Sequence, residues 1–364
     1  MLVLFAVVGV GALPSAALLL WSETWAGRLV GCSGLALVAL PLMLARLAGL
    51  GGRRAAVGSA VLAVLGFGGW LLALGLAPSG RSTPGGKVTS VVLGQAPSPS
   101  LLRAIPEIDQ VAVGVRVIPL LDPIIDARAA QRLADITLPI YREMEADPAV
   151  VELGSVMPYA YADLFGARDV SGHLYQVLPA RSSSSTEALI FLHGSAGNFK
   201  SYAWVLAELA ARRGMIVVCP SFGFGDWSHP GGLEAVERAR DYVVQRLHVD
   251  PTKITLAGLS NGGVGVSLAA AHHPDWYRGL VLISPVMDSH SLQSPAFQQG
   301  WRGRPVLVLE GDLDDRVEED YVSASVGLMK KAGIRVRYEI FRGEDHFLFY
   351  AQRRRALELI AESP

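Results

Sequence analysis

The chain has 364 residues, a net charge of -1 and 51% hydrophobic residues, but only 18% charged ones, against roughly 25% in an average soluble protein. That length is a prior for more than one structural unit. A pI near 6.7 leaves no basic face for nucleic acid, and two cysteines, Cys32 and Cys219, exclude a disulfide framework and a Cys-rich zinc module.

The charge deficit lies at one end. Residues 1–80 carry five charges, Glu23, Arg28, Arg46, Arg53 and Arg54, and the other 60 fall in residues 81–364. Three uncharged or nearly uncharged runs follow one another in this head, at roughly 1–21, 28–50 and 55–78. Since about 20 apolar residues cross a bilayer core, the pattern predicts three transmembrane helices in a region 1–80. A cleavable signal peptide is the alternative for the first run, but Met1-Leu2-Val3-Leu4 lacks the positive charge one needs. Arg46, Arg53 and Arg54 cluster at the turn between the second and third runs, which places that turn in the cytoplasm and the rest of the chain outside it. Trp21 and Trp25 would then belong to the outer aromatic belt, while Arg81 and Lys87 argue mildly for the reverse orientation. The head holds no intramembrane acid or base, so it reads as an anchor rather than a transport path.

Pro78, Pro84, Pro97, Pro99 and Pro106, with Gly and Ser between them, mark residues 81–106 as a linker. The segment 107–172 is less regular. Residues 127–147 have helical spacing, with breaks at Asp122-Pro123 and Asp147-Pro148, and Tyr159, Tyr161 and Phe165 form an aromatic cluster suited to packing.

Residues 173–362 alternate. Short runs rich in Val, Ile and Leu at 174–178, 188–192, 215–219, 253–257, 279–283, 305–310 and 334–341 read as buried strands. Longer segments at 201–213, 233–247, 262–273, 318–332 and 347–361 read as helices. The fold class is therefore α/β, a mostly parallel sheet with helices on both faces. In such sheets function gathers at the C-terminal ends of the strands.

There the sequence offers Gly258-Leu259-Ser260-Asn261-Gly262, a G-x-S-x-G between a strand and a helix. Small neighbours let the backbone turn sharply and hold the Ser260 hydroxyl at the head of a helix. A serine needs a base to take its proton. Four histidines lie downstream, His272, His273, His290 and His346; only His346 follows the last strand in a loop, in the order serine, acid, histidine. The acid comes from the turn after strand 305–310. Asp314 is the first choice, Asp312 the second, and Asp315 a solvated residue or helix cap. Donors for an anionic intermediate would be the backbone N–H groups of Asn261 and Ser195, the latter in the loop His193-Gly194-Ser195-Ala196-Gly197. His193 braces that loop in this reading. Trp227, in the loop 220–232, is a candidate substrate contact.

These residues resemble the α/β-hydrolase superfamily, above all its compact esterase, dienelactone-hydrolase and prolyl-oligopeptidase-like branches. The match rests on His193-Gly194 with Gly197, on Gly258 to Gly262, on Gly311 with Asp314, and on His346, and it covers half of the chain. The resemblance implies a serine nucleophile, a Ser260–His346–Asp314 triad, and acyl transfer to water without metal or cofactor. Only about 20 residues, 284–304, separate two strands where a cap would be inserted. A small-molecule ester or thioester is thus the expected substrate, with a serine peptidase as the alternative. A non-catalytic binding protein tethered to the membrane is the alternative of another class.

Overall fold

The computed structural model describes residues 2–50, 52–77, 88–93, 101–122, 125–147, 150, 153–167, 170–179 and 186–363. Arg81, Lys87, Pro78, Pro84, Pro97, Pro99, Pro123 and Pro148 lie outside the described residues. The chain divides into two compact units, one of residues 1–79 and 99–142, the other of residues 80–98 and 143–364.

The first unit is helical. Its opening helices are α1 (Leu2–Trp21), α2 (Trp25–Leu50) and α3 (Arg53–Leu76). Two stretches, Trp25–Leu44 and Arg53–Leu76, are long and apolar enough to cross a membrane; the apolar stretch Gly11–Trp21 of α1 is shorter. Two candidate spans therefore stand where the sequence suggested three. Gly66 and Gly69 lie against Leu37 and Ser33 of α2, whereas Gly68 faces open space. Two further helices follow, α4 (Glu107–Leu121) and α5 (Ala127–Glu145), the latter with alternating charged and apolar faces. Val30, Ala73, Ala104 and Ile105 form a small buried cluster within this unit.

The second unit is built on an eight-stranded sheet. In chain order its elements are β1 (Val88–Val92), α6 (Met157–Leu164), β2 (His173–Val177), β3 (Ala188–Leu192), α7 (Lys200–Arg213), β4 (Ile216–Pro220), α8 (Gly232–Gln245), β5 (Ile254–Leu259), α9 (Gly262–His272), β6 (Gly279–Ile283), α10 (Ser289–Gln293), α11 (Pro295–Gly300), β7 (Pro305–Gly311), α12 (Glu319–Lys331), β8 (Arg335–Phe341), α13 (Leu348–Ala351) and α14 (Arg353–Glu362). The spatial order is β1-β2-β4-β3-β5-β6-β7-β8. β1 and β2 run antiparallel to their neighbours, and all strands from β4 to β8 are parallel. β3 and β5, every residue of which is buried, lie mid-sheet. Such continuous apolar runs are what a sheet covered on both faces requires.

The strands fall where the hydrophobic runs predicted them, within a residue or two. β1 does not: Val88–Val92 pairs with β2 inside the stretch expected to be a linker. Its five residues, VTSVV, are too few for their alternation to stand out between flanking prolines and glycines. As an edge strand it covers one side of β2 and leaves its other side half-exposed.

Candidate active site

Ser260 sits directly after β5 with φ 53°, in the left-handed region that a side chain reaches only under strain. The turn is possible because the residues two places before and after Ser260, Gly258 and Gly262, have no side chains. A Cβ on Gly258 would come within 2.5 Å of the Gly262 backbone, and one on Gly262 within 2.2 Å of the Leu192 carbonyl oxygen. The Ser260 N–H donates to the Ile283 carbonyl at 2.9 Å, which ties the turn to the end of β6.

His346 stands in the loop between β8 and α13. Its Nε2 is 3.0 Å from Ser260 Oγ and its Nδ1 2.7 Å from Asp314 Oδ2. A carboxylate only accepts, so Nδ1 carries the hydrogen and Nε2 is left to accept from the serine hydroxyl. The other Asp314 oxygen accepts the N–H groups of Arg316 at 2.9 Å and Val317 at 2.8 Å. Burial pushes the Asp314 carboxyl up. The hydrogen bond and charge of His346, the Val317 N–H and the side chain of Glu310 outweigh it and hold Asp314 below the ordinary carboxylate range.

The three aspartates of this turn have separate roles. Asp314 is buried and faces the imidazole. Asp312 accepts the Gly343 N–H at 2.6 Å and lies 3.3 Å from Arg342, clasping the exit of β8. Asp315 is exposed. Of the other downstream histidines, His273 bonds Glu237 at 2.7 Å and stacks on Trp276, and His290 is exposed on α10.

The loop after β3 passes against Ser260: a Cβ on Gly194 would lie 3.1 Å from Ser260 Cβ. Asn261 Nδ2 donates to Ser195 Oγ at 2.9 Å, joining the two residues whose backbone N–H groups were expected to face an oxyanion. His193 holds this loop from behind. Its Nδ1–H donates to the Gly194 carbonyl at 2.7 Å and its Nε2 accepts the Phe222 N–H at 3.1 Å. Burial, partly offset by that carbonyl, pulls His193 down to about 4, so it stays neutral near pH 7, with both ring nitrogens engaged in backbone hydrogen bonds.

Trp227 corrects the sequence reading. It is 1% exposed rather than open to substrate, and its Nε1–H donates to the His193 carbonyl at 2.8 Å. Its ring packs on His193 and Phe222. A tryptophan in a Gly-rich loop at a strand's C-terminal end can serve as contact or as packing, and its burial here is that of packing. Sequence reasoning also missed Glu310, at the end of β7, whose side chain reaches Asp314. The signal was a lone charge in the otherwise apolar strand PVLVLEG.

Residues 189–359 match the sequence profile of the alpha/beta hydrolase family. The uncharacterized protein YfhR of Salmonella typhimurium is 31% identical over 96 residues, 25% of this chain and 33% of its own length. The chain thus spans about a third of the length of the curated relatives it matches. Among solved structures, a thermophilic esterase of Thermogutta terrifontis is similar with a TM-score of 0.43 and 19% identity, over 52% of this chain and 85% of its own. A hyperthermophilic esterase of Pyrobaculum calidifontis is similar with a TM-score of 0.44 and 20% identity, over 52% of this chain and 79% of its own.

Proposed function

With residues 189–359 forming an alpha/beta hydrolase domain, we propose that the protein is a membrane-anchored serine hydrolase that cleaves carboxylic esters or thioesters. One observation carries this reading: a serine on a strained turn, 3.0 Å from an imidazole that a buried carboxylate orients from its far side. In this reading Ser260 Oγ attacks the acyl carbon while His346 Nε2 takes its proton. The N–H groups of Ser195 and Asn261 stabilise the oxyanion. His346 returns the proton to the leaving alcohol or thiol, and water then attacks the acyl-enzyme by the same route. Asp314 keeps the imidazole in the required tautomer throughout.

The test is labelling of the full, detergent-solubilised chain with a fluorophosphonate probe, beside turnover of p-nitrophenyl acyl esters and of aminoacyl and prolyl amides. Labelling that Ser260→Ala abolishes, with esters cleaved faster than amides, supports the reading. Amides cleaved faster would make it a peptidase. A folded chain that takes no label would make it a binding protein.

The anchor in this reading is the helical head, and the body lies outside the cytoplasm. Arg46, Arg53 and Arg54 flank the turn between α2 and α3, and Lys or Arg beside short loops stays on the cytoplasmic side. From that turn α3 leads outward whether or not α1 also spans. Trp21, the last residue of α1, and Trp25, the first of α2, are both exposed and suit an outer aromatic belt. Alkaline phosphatase fused at Pro364 should be active and a fluorescent protein that needs the cytoplasm dark; the reverse pattern overturns the orientation and leaves the hydrolase reading standing.

A further inference from the structure

Glu310 is the penultimate residue of β7, and its side chain points to the same face as Val306 and Val308 of the core. It is 0% exposed. Oε1 accepts the N–H of its neighbour Gly311 at 3.1 Å. Oε2 is buried and finds no donor among the described residues. The Glu310 carboxyl nevertheless lies within hydrogen-bonding reach of the Asp314 carboxyl. Two carboxylates cannot bond each other, because both only accept. The contact is satisfied only if one of them holds a proton.

The surroundings decide which one. Asp314 already accepts from His346 Nδ1–H and from two backbone N–H groups, all of which favour its charged form. Glu310 has one N–H. The charged groups acting on it are acidic, Asp314 from its own turn and Glu319 from the first turn of α12. From β8, Tyr338 faces the same place with a buried, unpartnered hydroxyl. Burial first, then the charge of Asp314, pushes Glu310 up to about 9.

We propose that Glu310 is a positioning residue that stays protonated during turnover and donates its carboxyl O–H to Asp314 as a hydrogen bond. That bond fixes the carboxylate that orients His346. It also limits how strongly the carboxylate holds the imidazolium, since a carboxylate with another good donor is a weaker base. This inference rests on the serine-hydrolase reading above.

The test uses Glu310→Gln and Glu310→Leu in the full chain, with kcat and kcat/KM for a p-nitrophenyl ester measured from about pH 5 to 9. Gln offers an N–H where the acid offers an O–H, and Leu offers nothing. The expected result is a kcat fall of about tenfold in Glu310→Leu with KM nearly unchanged and an acid limb moved to higher pH. In Glu310→Gln the rate returns to within about threefold and the acid limb stays in place. The informative contrast is charge. If Glu310 were ionised, Gln would delete a negative charge beside the relay and move the acid limb down by about a unit or more. That shift overturns the proposal, as does a Glu310→Leu enzyme indistinguishable from the parent. Should Glu310→Leu fail to fold, the acid limb of Glu310→Gln decides alone. Ser260→Ala separates the two readings: activity surviving in it sinks the serine-hydrolase assignment itself, whereas a dead Ser260→Ala beside a displaced Glu310→Gln limb sinks only the role of Glu310.

Discussion

Asp109 in the helical unit and Asp314 in the sheet unit are both buried aspartates, and each accepts two backbone N–H groups through one oxygen. They differ in what meets the second oxygen. For Asp109 it is the Thr24 hydroxyl at 2.5 Å, and Thr24 Oγ1 in turn accepts the Gly27 N–H at 3.1 Å. For Asp314 it is the His346 imidazole at 2.7 Å. Asp109 is therefore a clasp: it secures the residues that open α2. Burial raises its carboxyl, the contacts to Thr24 and Glu23 lower it, and the net direction is up. At Asp314 the hydrogen bonds from His346 and Val317, with the charge that His346 can take on, outweigh burial, and the net direction is down. Burial, backbone donors and one hydroxyl suffice for a structural brace. A carboxylate facing an imidazole that is itself aligned on a strained serine has the arrangement that the proposed relay requires.

The largest effect that could break this comparison is on turnover. Ser260→Ala and His346→Ala should each lower ester hydrolysis by several orders of magnitude, because triad members act as a unit. Near-normal turnover in either, with contaminating esterase excluded, would mean that the relay at Asp314 is another clasp.

The next effect separates the three neighbouring aspartates. Asp314→Asn should reduce kcat by about 10²–10⁴-fold, since an amide can present its N–H₂ to the imidazole and select the wrong tautomer. Asp312→Asn loosens a loop clasp and should cost less than about tenfold, and Asp315→Asn, at an exposed position, should cost almost nothing. Kinetics of the three purified variants would check this order. A more damaged Asp312→Asn would show that the clasp matters more than the relay.

The two regions also differed in how far the sequence disclosed them. In the sheet unit, period and turn chemistry agreed. Mostly apolar runs marked β3 to β7, an alternating run marked β8, and G-x-S-x-G between a strand and a helix marked Ser260 as the candidate nucleophile. Chain order then left His346 as the candidate base. The three aspartates after β7 could not be separated with the same force, because their distinction is one of direction within a single turn. Trp227 and Glu310 depend on which strand face or loop wall a side chain enters, and that is set by contacts across the sheet. In the helical unit, apolar runs disclosed α1 to α3 but not the polar junction at Asp109, whose partners Glu23 and Thr24 lie 86 and 85 residues away. Nothing local in EIDQVAVGV announces a helix clasp. β1 was missed for the same reason: its pairing with His173–Val177 spans more than 80 residues.

The smallest effect falls on Asp109. Asp109→Ala removes the acceptor for three donors at the start of α2 and should cost about 0.5–2 kcal/mol, the range for losing a helix cap. Ester turnover should stay within about twofold of the parent. Hydrogen exchange should quicken at the amides of Glu23, Thr24 and Gly27, with little change in the sheet. The pH dependence sharpens the contrast. The Asp109 carboxyl lies above its ordinary 3.8 in the folded chain, so the folded state binds that proton more tightly than the unfolded one. Its contribution is complete below 3.8 and declines as pH rises through the folded value. Asp314 lies below 3.8, so its contribution is complete above that value and is lost as pH falls through the folded one. The stability penalty of Asp109→Ala should therefore shrink with rising pH, and that of Asp314→Asn should grow. Denaturant titrations of both variants from about pH 3 to 7 would read the two slopes. Slopes of the same sign would mean that the imidazole does not distinguish these two carboxyls, and the contrast between clasp and relay would fail on its electrostatics.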